Sequence, residues 1–574
     1  MAYHINTMSK GEGMNEKLKY ALILAFVLNS SLALTTFYQS TYDSYTHMFF
    51  ADHYTRSWFD TWEPKWNGGF SVTTYPPLAH QVLALISFPL GLECAYQVLT
   101  LCLTLIFPLS IYKFSKIFVS DEAAGYASII SVFLPSILVI TYNFGQLPTL
   151  FGLITTLLTI YYLNRYLKKG IKFDLGLAAC LCGVSISTHH FTTILFLPFL
   201  TLILMSTLLR RKNDHKAVII RFSHFLLICI IISVLILYPF IIFSMNFQMQ
   251  PIPHITRTNL IADSFAFKWF FFGMYGTTLF IIPLVGLFAY NHRKLLPLFV
   301  GAIFLFILGL GGTTALPRII FGNLWLVLTY ERFALWAGIT FLPLFGAFFE
   351  HHFAELKRVR FKKQILGLFF ISVVISAVYF GNNPILRTTN VDLDPVVEFL
   401  DTEQNSRWRY LTLGFGDVKM QELSILTNAA TIDGYYFLGR TIPILSNSGI
   451  ATLDTAKFFG EHGLEVLETI LDNAQTYNLR WVICNDPFYY DLLTKNGFIL
   501  LFSQDNTGDG RFHGVTIWTK EGILPIDSGN TTVVGAQQIS LIDYMWGIVP
   551  LSLLITSLIL FISDKKLKKW KCPV

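Results

Sequence analysis

The sequence predicts a polytopic helical membrane protein carrying one water-facing α/β domain, on three observations. Its 574 residues are 53% hydrophobic and only 14% charged, with a mean hydropathy of +0.54. Apolar runs recur along the chain, many reaching the roughly 20 residues that cross a bilayer. Such runs span as helices because lipid offers the backbone no hydrogen-bond partner. From Asn382 to about Ser540 the long runs stop, and short strand-like and helix-like stretches alternate.

Taken in order, Lys17 and Lys19 precede an apolar run ending near Leu34, read as an uncleaved first helix rather than a leader peptide. A polar stretch follows to Pro77. The segment Leu78–Gly91, bounded by prolines, suits a helix lying at the interface. Further helices are expected at about Glu93–Tyr112, Ala123–Thr141, Leu147–Leu163, Leu175–Thr188 and from His190 to Arg210. The remaining ones are Ala217–Phe243, Trp269–Tyr290, Leu295–Leu310, Arg332–Phe349, Ile365–Phe380 and Ile542–Ile562. About twelve spans with both termini inside place the basic clusters on one side: Lys10, Lys17 and Lys19; Lys113 and Lys116; Arg165, Lys168 and Lys169; Arg210–Lys212; Arg293 and Lys294; Lys357–Lys363; and Lys565–Lys569. If Leu78–Gly91 crossed instead, every later cluster would flip outward. The net charge of +6 is therefore a topology signal and implies no nucleic-acid partner.

The chain thus divides into a transmembrane part (1–381) with an outer loop (39–77), an outer α/β domain (382–540), and a last helix with a basic tail (541–574). Within the α/β domain RYLTLG, RWVICN, FILLFS and GVTIW read as strands, and Pro395–Glu403 and Gly463–Asn473 as helices. Asp505–Gly510 partly resembles a calcium loop but lacks the acid at its third position, so it reads as a hairpin turn. Asn530-Thr531-Thr532 is a glycosylation triplet of low specificity. The seven cysteines form no disulfide framework or zinc spacing: five lie in apolar spans, Cys484 in the α/β domain and Cys572 in the tail, and Cys180-x-Cys182 reads as packing.

Chemistry concentrates in Tyr42–Pro77, YDSYTHMFFADHYTRSWFDTWEPKWNGGFSVTTYPP. Asp43, His47, Asp52, His53 and Glu63 lie here; His189, His190, His254, Arg257, Asp263, Arg318, Glu331 and Arg332 fall in other loops expected on the same face. Ionisable groups at a membrane edge are costly and favour a functional reading. Snorkelling and helix capping compete with it. For Asp43 a carboxylate able to take a proton from a hydroxyl competes with an N-cap of the next helix, two roles that are compatible. His47, one turn on, can orient Asp43 or help hold an anion. Arg332 offers forked donors suited to phosphate, against a local pair with Glu331. His189-His190 is a ligand candidate or an interfacial turn. Trp62, Trp66 and Tyr75 can stack on sugar rings or form an aromatic belt.

Asp43-x-x-x-His47, Trp62-x-Pro64-x-Trp66-x-Gly68-Gly69 and Tyr75-Pro76-Pro77-Leu78 resemble the first outer loop of GT-C membrane glycosyltransferases. With Gly145-Gln146-Leu147-Pro148, Thr188-His189-His190 and Glu331-Arg332-Phe333, they are similar to the prokaryotic "6-pyruvoyl-tetrahydropterin synthase-related" membrane proteins. That name suggests pterin chemistry, but no soluble zinc-histidine site accompanies it. The resemblance implies an inverting transfer on the outer face from a polyprenyl-phosphate-linked sugar donor to a glycan, lipid or protein acceptor, among membrane lipids and with no organic cofactor. It implies Asp43 as catalytic base, with His47, Asp52, Trp62, Trp66, Tyr75, His189, His190, Glu331 and Arg332 around the substrate. Relatives often carry an acidic pair in this loop; here Ser44 follows Asp43, so any second acid comes from Asp52 or elsewhere, and a divalent cation is left open. A transporter or flippase, or a GT-C-like assembly protein without chemistry, are the other classes. No repeated halves and no nucleotide-binding loop support transport.

Overall fold

The computed structural model describes residues 14–210, 215–246, 250–355, 360–386, 388–503, 514–526 and 540–570. Lys10, Arg211, Lys212, Lys357, Arg358, the Asp505–Gly510 turn, the Asn530–Thr532 triplet and Cys572 lie outside them.

The helical body opens with α1 (Glu16–Ala33), whose first turn is capped by the Asn15 side chain accepting from the amides of Lys17 and Leu18. After a short turn come α2 (Ser44–Arg56), the hairpin β1 (Trp62–Glu63) and β2 (Phe70–Ser71), and α3 (Leu78–Leu90). The body continues through α4 (Leu92–Ser115), α5 (Asp121–Val132), α6 (Pro135–Tyr142), α7 (Leu147–Lys169), α8 (Lys172–Thr188), α9 (Leu197–Leu209) and α10 (His215–Asn246). It is completed by α11 (Ser264–Asn291, with π and 3-10 turns inside it), α12 (Leu296–Gly309), α13 (Glu331–Glu355) and α14 (Arg360–Asn382).

Among the described residues, seven helical segments are long and apolar enough to cross a membrane, or eight if the bent pair α5–α6 is one span. The expected helix over Ala123–Thr141 is broken by 42° because Pro135 cannot continue the ladder. The other four expected crossings fall on α1, α8, α12 and α14, whose apolar stretches are shorter or interrupted by polar groups. Segment α3, 13 residues long, is too short to cross, as its proline boundaries suggest. The body has a centre and a rim: 94% of the apolar windows of α7 and α13 is buried, but only 22% in α10 and in the last helix.

The α/β domain contains α15 (Asp394–Leu400), β3 (Arg409–Leu413), α16 (Gly416–Leu426), α17 (Gly460–Asp472), β4 (Leu479–Cys484), α18 (Tyr490–Lys495), β5 (Ile499–Ser503) and β6 (Thr516–Thr519), and α19 (Leu541–Trp570) returns to the body. The four expected strands form one sheet in the order β3-β4-β6-β5, with β3–β4 parallel and the other pairs antiparallel. Alternation along the strands divides the domain core. Leu411, Val482 and Trp518 join the α17 side, while Tyr410, Trp481 and Ile517 join the side of α15 and α16. Helix α16 was not anticipated from the sequence.

The loop between α1 and α3 is stitched to this domain rather than free of it. The Lys65 carbonyl accepts from the amide of Thr431 at 2.7 Å, the amides of Asn67 and Gly68 donate to the carbonyls of Asp433 and Thr431, each at 3.1 Å, and Arg409 Nη2 donates to the Gly68 carbonyl at 3.1 Å. Helix α16 lies along α2, where Gln421 Nε2 donates to the Tyr42 carbonyl at 3.2 Å and Gln421 Oε1 accepts from the Thr46 hydroxyl at 2.6 Å.

Candidate functional site

Asp43 is held by its backbone. Its amide donates to the Phe144 carbonyl at 2.9 Å, and its carbonyl accepts from the His47 amide at 3.0 Å to begin α2. The side chain makes no capping bond, so its carboxylate is free for chemistry. The turn carrying Phe144 fits closely against it. Gly145 sits at φ +72°, and a Cβ there would lie 2.5 Å from Ser44 Oγ. The Tyr96 hydroxyl donates to the Gly145 carbonyl at 2.7 Å and accepts from Ser44 Oγ at 3.0 Å. Ser44, the residue after Asp43, is thus part of the scaffold.

Asp43 is half-buried. Burial raises its pKa most, the Arg332 charge opposes that, and the carboxylates of Glu331 and Asp417 add to the rise, leaving it at about 7. An isolated aspartate titrates near 4; here the group changes charge in the neutral range.

Arg332 begins α13, with its guanidinium 5.3 Å from the Phe191 ring centre and its Nε 4.0 Å from Glu331 Oε1. That Nε is buried with no hydrogen-bond partner. The charge of Arg332 is felt at Asp43, Tyr75, His189 and His190, which gathers residues from three separate stretches of chain around that cation. Glu331 is buried; the Thr329 hydroxyl donates to its Oε1, and its Oε2 has no partner.

The two histidines between α8 and α9 differ. His189 is committed, with Nδ1 2.7 Å from the Thr192 hydroxyl and Nε2 3.4 Å from that of Thr149. His190 is 6% exposed, packs its ring against Phe191 and Phe240, and leaves both ring nitrogens without a hydrogen bond. Buried polar atoms are rarely left this way unless something else fills the role. An apolar groove of about 190 Å³ runs between α10 and α19, lined by Leu235, Tyr238, Pro239, Met545, Trp546 and Val549.

Several expected ligands lie elsewhere. His47 is buried with Nδ1 3.1 Å from His80 Nε2, and burial lowers its pKa to about 3. It is neutral and supplies no cation for an anion. Tyr75 packs edge-on against His47 and His80 within reach of Arg332, at the cleft wall. Asp52 accepts from Arg56 Nε at 3.0 Å and lies 3.5 Å from Lys65 Nζ, so its carboxylate is engaged in an ion cluster with these two cations. Trp66 is fully buried, stacked on Phe49 at 3.7 Å, and has no face left for a sugar. Trp62 packs its ring over Gly69 within the hairpin. Large aromatics in a short hairpin are consumed in closing it over the helix beneath.

A further carboxylate acting on Asp43 is that of Asp417, in the first turn of α16. Sequence reading missed it because its partner is in a loop hundreds of residues away; the available signal was an acid following Gly414-Phe415-Gly416. Among the described residues no group of three or more His, Cys, Asp or Glu side chains is placed to hold a metal, so no step below runs through one.

The fold has solved counterparts, all distant in sequence. The oligosaccharyltransferase of Archaeoglobus fulgidus tethered to an acceptor peptide aligns with a TM-score of 0.54 at 13% identity, over 92% of this chain and 77% of that one. ArnT from Cupriavidus metallidurans aligns at 0.55 and 12% identity, over 88% and 97% of the two chains. The mycobacterial arabinofuranosyltransferase AftD aligns at 0.54 and 12% identity, over 89% of this chain and 40% of its own. These likenesses establish a GT-C fold. No curated protein sequence matches the chain. The model of the 6-pyruvoyl-tetrahydropterin synthase-related domain, described as a membrane protein, matches residues 72–385, more than half of the sequence. With the helical body built mainly from that span, the chain belongs to the 6-pyruvoyl-tetrahydropterin synthase-related family of membrane proteins.

Proposed function

We propose that the protein is an inverting glycosyltransferase that moves a sugar from a polyprenyl-phosphate-linked donor to an acceptor hydroxyl on the outer face of the membrane. The observation that carries this reading is an unpaired carboxylate, Asp43, under the charge of Arg332, whose Nε is buried without a hydrogen-bond partner, as are both ring nitrogens of His190. Solved GT-C structures lend support: ArnT has been seen with undecaprenyl phosphate and the Archaeoglobus enzyme with a dolichol-phosphate.

In this mechanism Asp43 takes the proton of the acceptor hydroxyl as its oxygen bonds to the anomeric carbon. The bond from that carbon to the phosphate oxygen breaks on the opposite face, inverting the centre, and the lipid phosphate leaves with the electron pair. Arg332 stabilises the charge growing on the phosphate, and His190 supplies a ring N–H to one of its oxygens. His189, fixed by Thr192, sets the turn that presents His190. A base titrating at about 7 is matched to proton transfer near neutrality. The groove between α10 and α19 would take the start of the prenyl chain. In this arrangement both termini are cytoplasmic, and the cleft and α/β domain face outward.

The test is purified protein in nanodiscs given radiolabelled polyprenyl-phosphate sugars and native acceptor extract. Release of unlabelled lipid phosphate with label in the acceptor is the expected result. Label crossing a liposome bilayer on intact lipid, with no bond cleaved, would replace transfer by transport.

A further inference from the structure

We infer that Asp417, Tyr42 and Tyr435 form an acceptor subsite next to Asp43, and that it takes the hydroxyl-bearing face of an uncharged sugar rather than an anionic acceptor. This rests on the glycosyl-transfer reading above.

The placement follows from α16. Gln421 bonds the Tyr42 carbonyl and the Thr46 hydroxyl, which bracket Asp43 in sequence. Asp417 precedes Gln421 by one helical turn, and the Gln421 amide also donates to the Asp417 carbonyl at 2.6 Å, so the Asp417 side chain stands over the start of α2. Tyr435 is brought to the same place by its neighbours. The Asp433 carbonyl accepts from the Asn67 amide, and the Tyr436 hydroxyl donates to the Thr74 carbonyl at 2.8 Å. All three residues are half-buried. The Asp417 carboxylate and the hydroxyls of Tyr42 and Tyr435 make no hydrogen bond among the described residues, whereas the adjacent Tyr436 hydroxyl is satisfied.

The chemistry of this wall decides the ligand. Two tyrosine rings offer apolar faces with polar tips, and a carboxylate between them accepts from hydroxyls. The carboxylates of Asp433, Asp417 and Asp43 act on Asp417, Tyr42 and Tyr435, and Tyr42 acts on Tyr435 as well. An anionic acceptor would meet like charge there, whereas the donor's phosphate meets the charge of Arg332. The cleft therefore sorts its two substrates by charge.

The experiment uses the full chain in fluorescent proteoliposomes applied to an array of neutral, sulfated and phosphorylated oligosaccharides, with undecaprenyl phosphate binding measured in parallel by native mass spectrometry. Retention on neutral glycans is expected, falling at least about tenfold in Asp417→Asn and in Tyr435→Phe, while undecaprenyl phosphate binding is unchanged and shows both variants folded. Preference for sulfated or phosphorylated glycans, retention unaffected by either variant, or no retention on any glycan would overturn the subsite. Loss of lipid-phosphate binding by the wild type with glycan retention intact would instead sink the donor reading.

Discussion

Two carboxylates of one loop, Glu63 and Asp43, are treated in opposite ways. Glu63 is fully buried yet saturated: its Oε2 meets His53 Nδ1 at 2.9 Å and Arg56 Nη2 at 2.8 Å, and its Oε1 accepts from the Lys65 amide at 2.8 Å. Burial pushes its pKa up, but those partners win and hold it at about 2. Asp43 is less buried and has no such partners, so burial prevails and its pKa rises to about 7. Burial alone does not mark a reactive acid; the count of hydrogen bonds to its charged form does. Glu63 ties β1 to α2 through His53 and Arg56, and Asp43 is left with capacity to spare.

The comparison breaks most visibly at the saturated end. Glu63→Ala strands the buried side of Arg56 and His53 and should lower stability by about 3 kcal/mol, read as a fall in unfolding temperature with all activity lost in parallel. The pH signs also oppose. Glu63, lowered in the fold, contributes stability that is present above its unfolded value of about 4.3 and lost as pH falls towards about 2. Asp43, raised in the fold, costs stability increasingly as pH climbs from about 4 to 7.

Next is the anchor. Gly145→Ala forces a Cβ against Ser44 at a left-handed φ and displaces the backbone that holds Asp43. Transfer should drop about a hundredfold while donor binding persists, checked by turnover against lipid-phosphate binding. Arg332→Gln should weaken undecaprenyl phosphate binding about 10- to 100-fold by native mass spectrometry, the worth of one charge-assisted contact.

The smallest effects sharpen the electrostatics. Transfer rate should rise with pH through a midpoint near 7, the titration of Asp43. Because Asp417 raises that pKa and Arg332 lowers it, Asp417→Asn should move the acid limb below the wild-type midpoint and Arg332→Gln above it. Midpoints that stay together would show that these groups do not act on the base.

The helical body, the four strands and the candidacy of Asp43, His190, Glu331 and Arg332 were legible because each follows from local pattern: apolar length, alternation, or a polar group stranded at the end of an apolar run. Contacts between distant segments were not. Gln421 reaches Thr46 across 375 residues, and nothing local to Asp417 says it will face Asp43. Likewise Trp66 and His47 have the composition of ligands, but Phe49 and His80 claim them through packing that only the folded loop shows. Asp52 looked like the missing acid because it is near in sequence; Arg56 one turn later and Lys65 across the loop engage it.

The most direct measurement is Asp43→Asn in nanodiscs, with transfer from a radiolabelled polyprenyl-phosphate sugar and binding of undecaprenyl phosphate read on the same preparation. Transfer lost by at least about a hundredfold with lipid binding kept within twofold of wild type is the predicted result. Transfer that survives the substitution would contradict the assignment of Asp43 as the base.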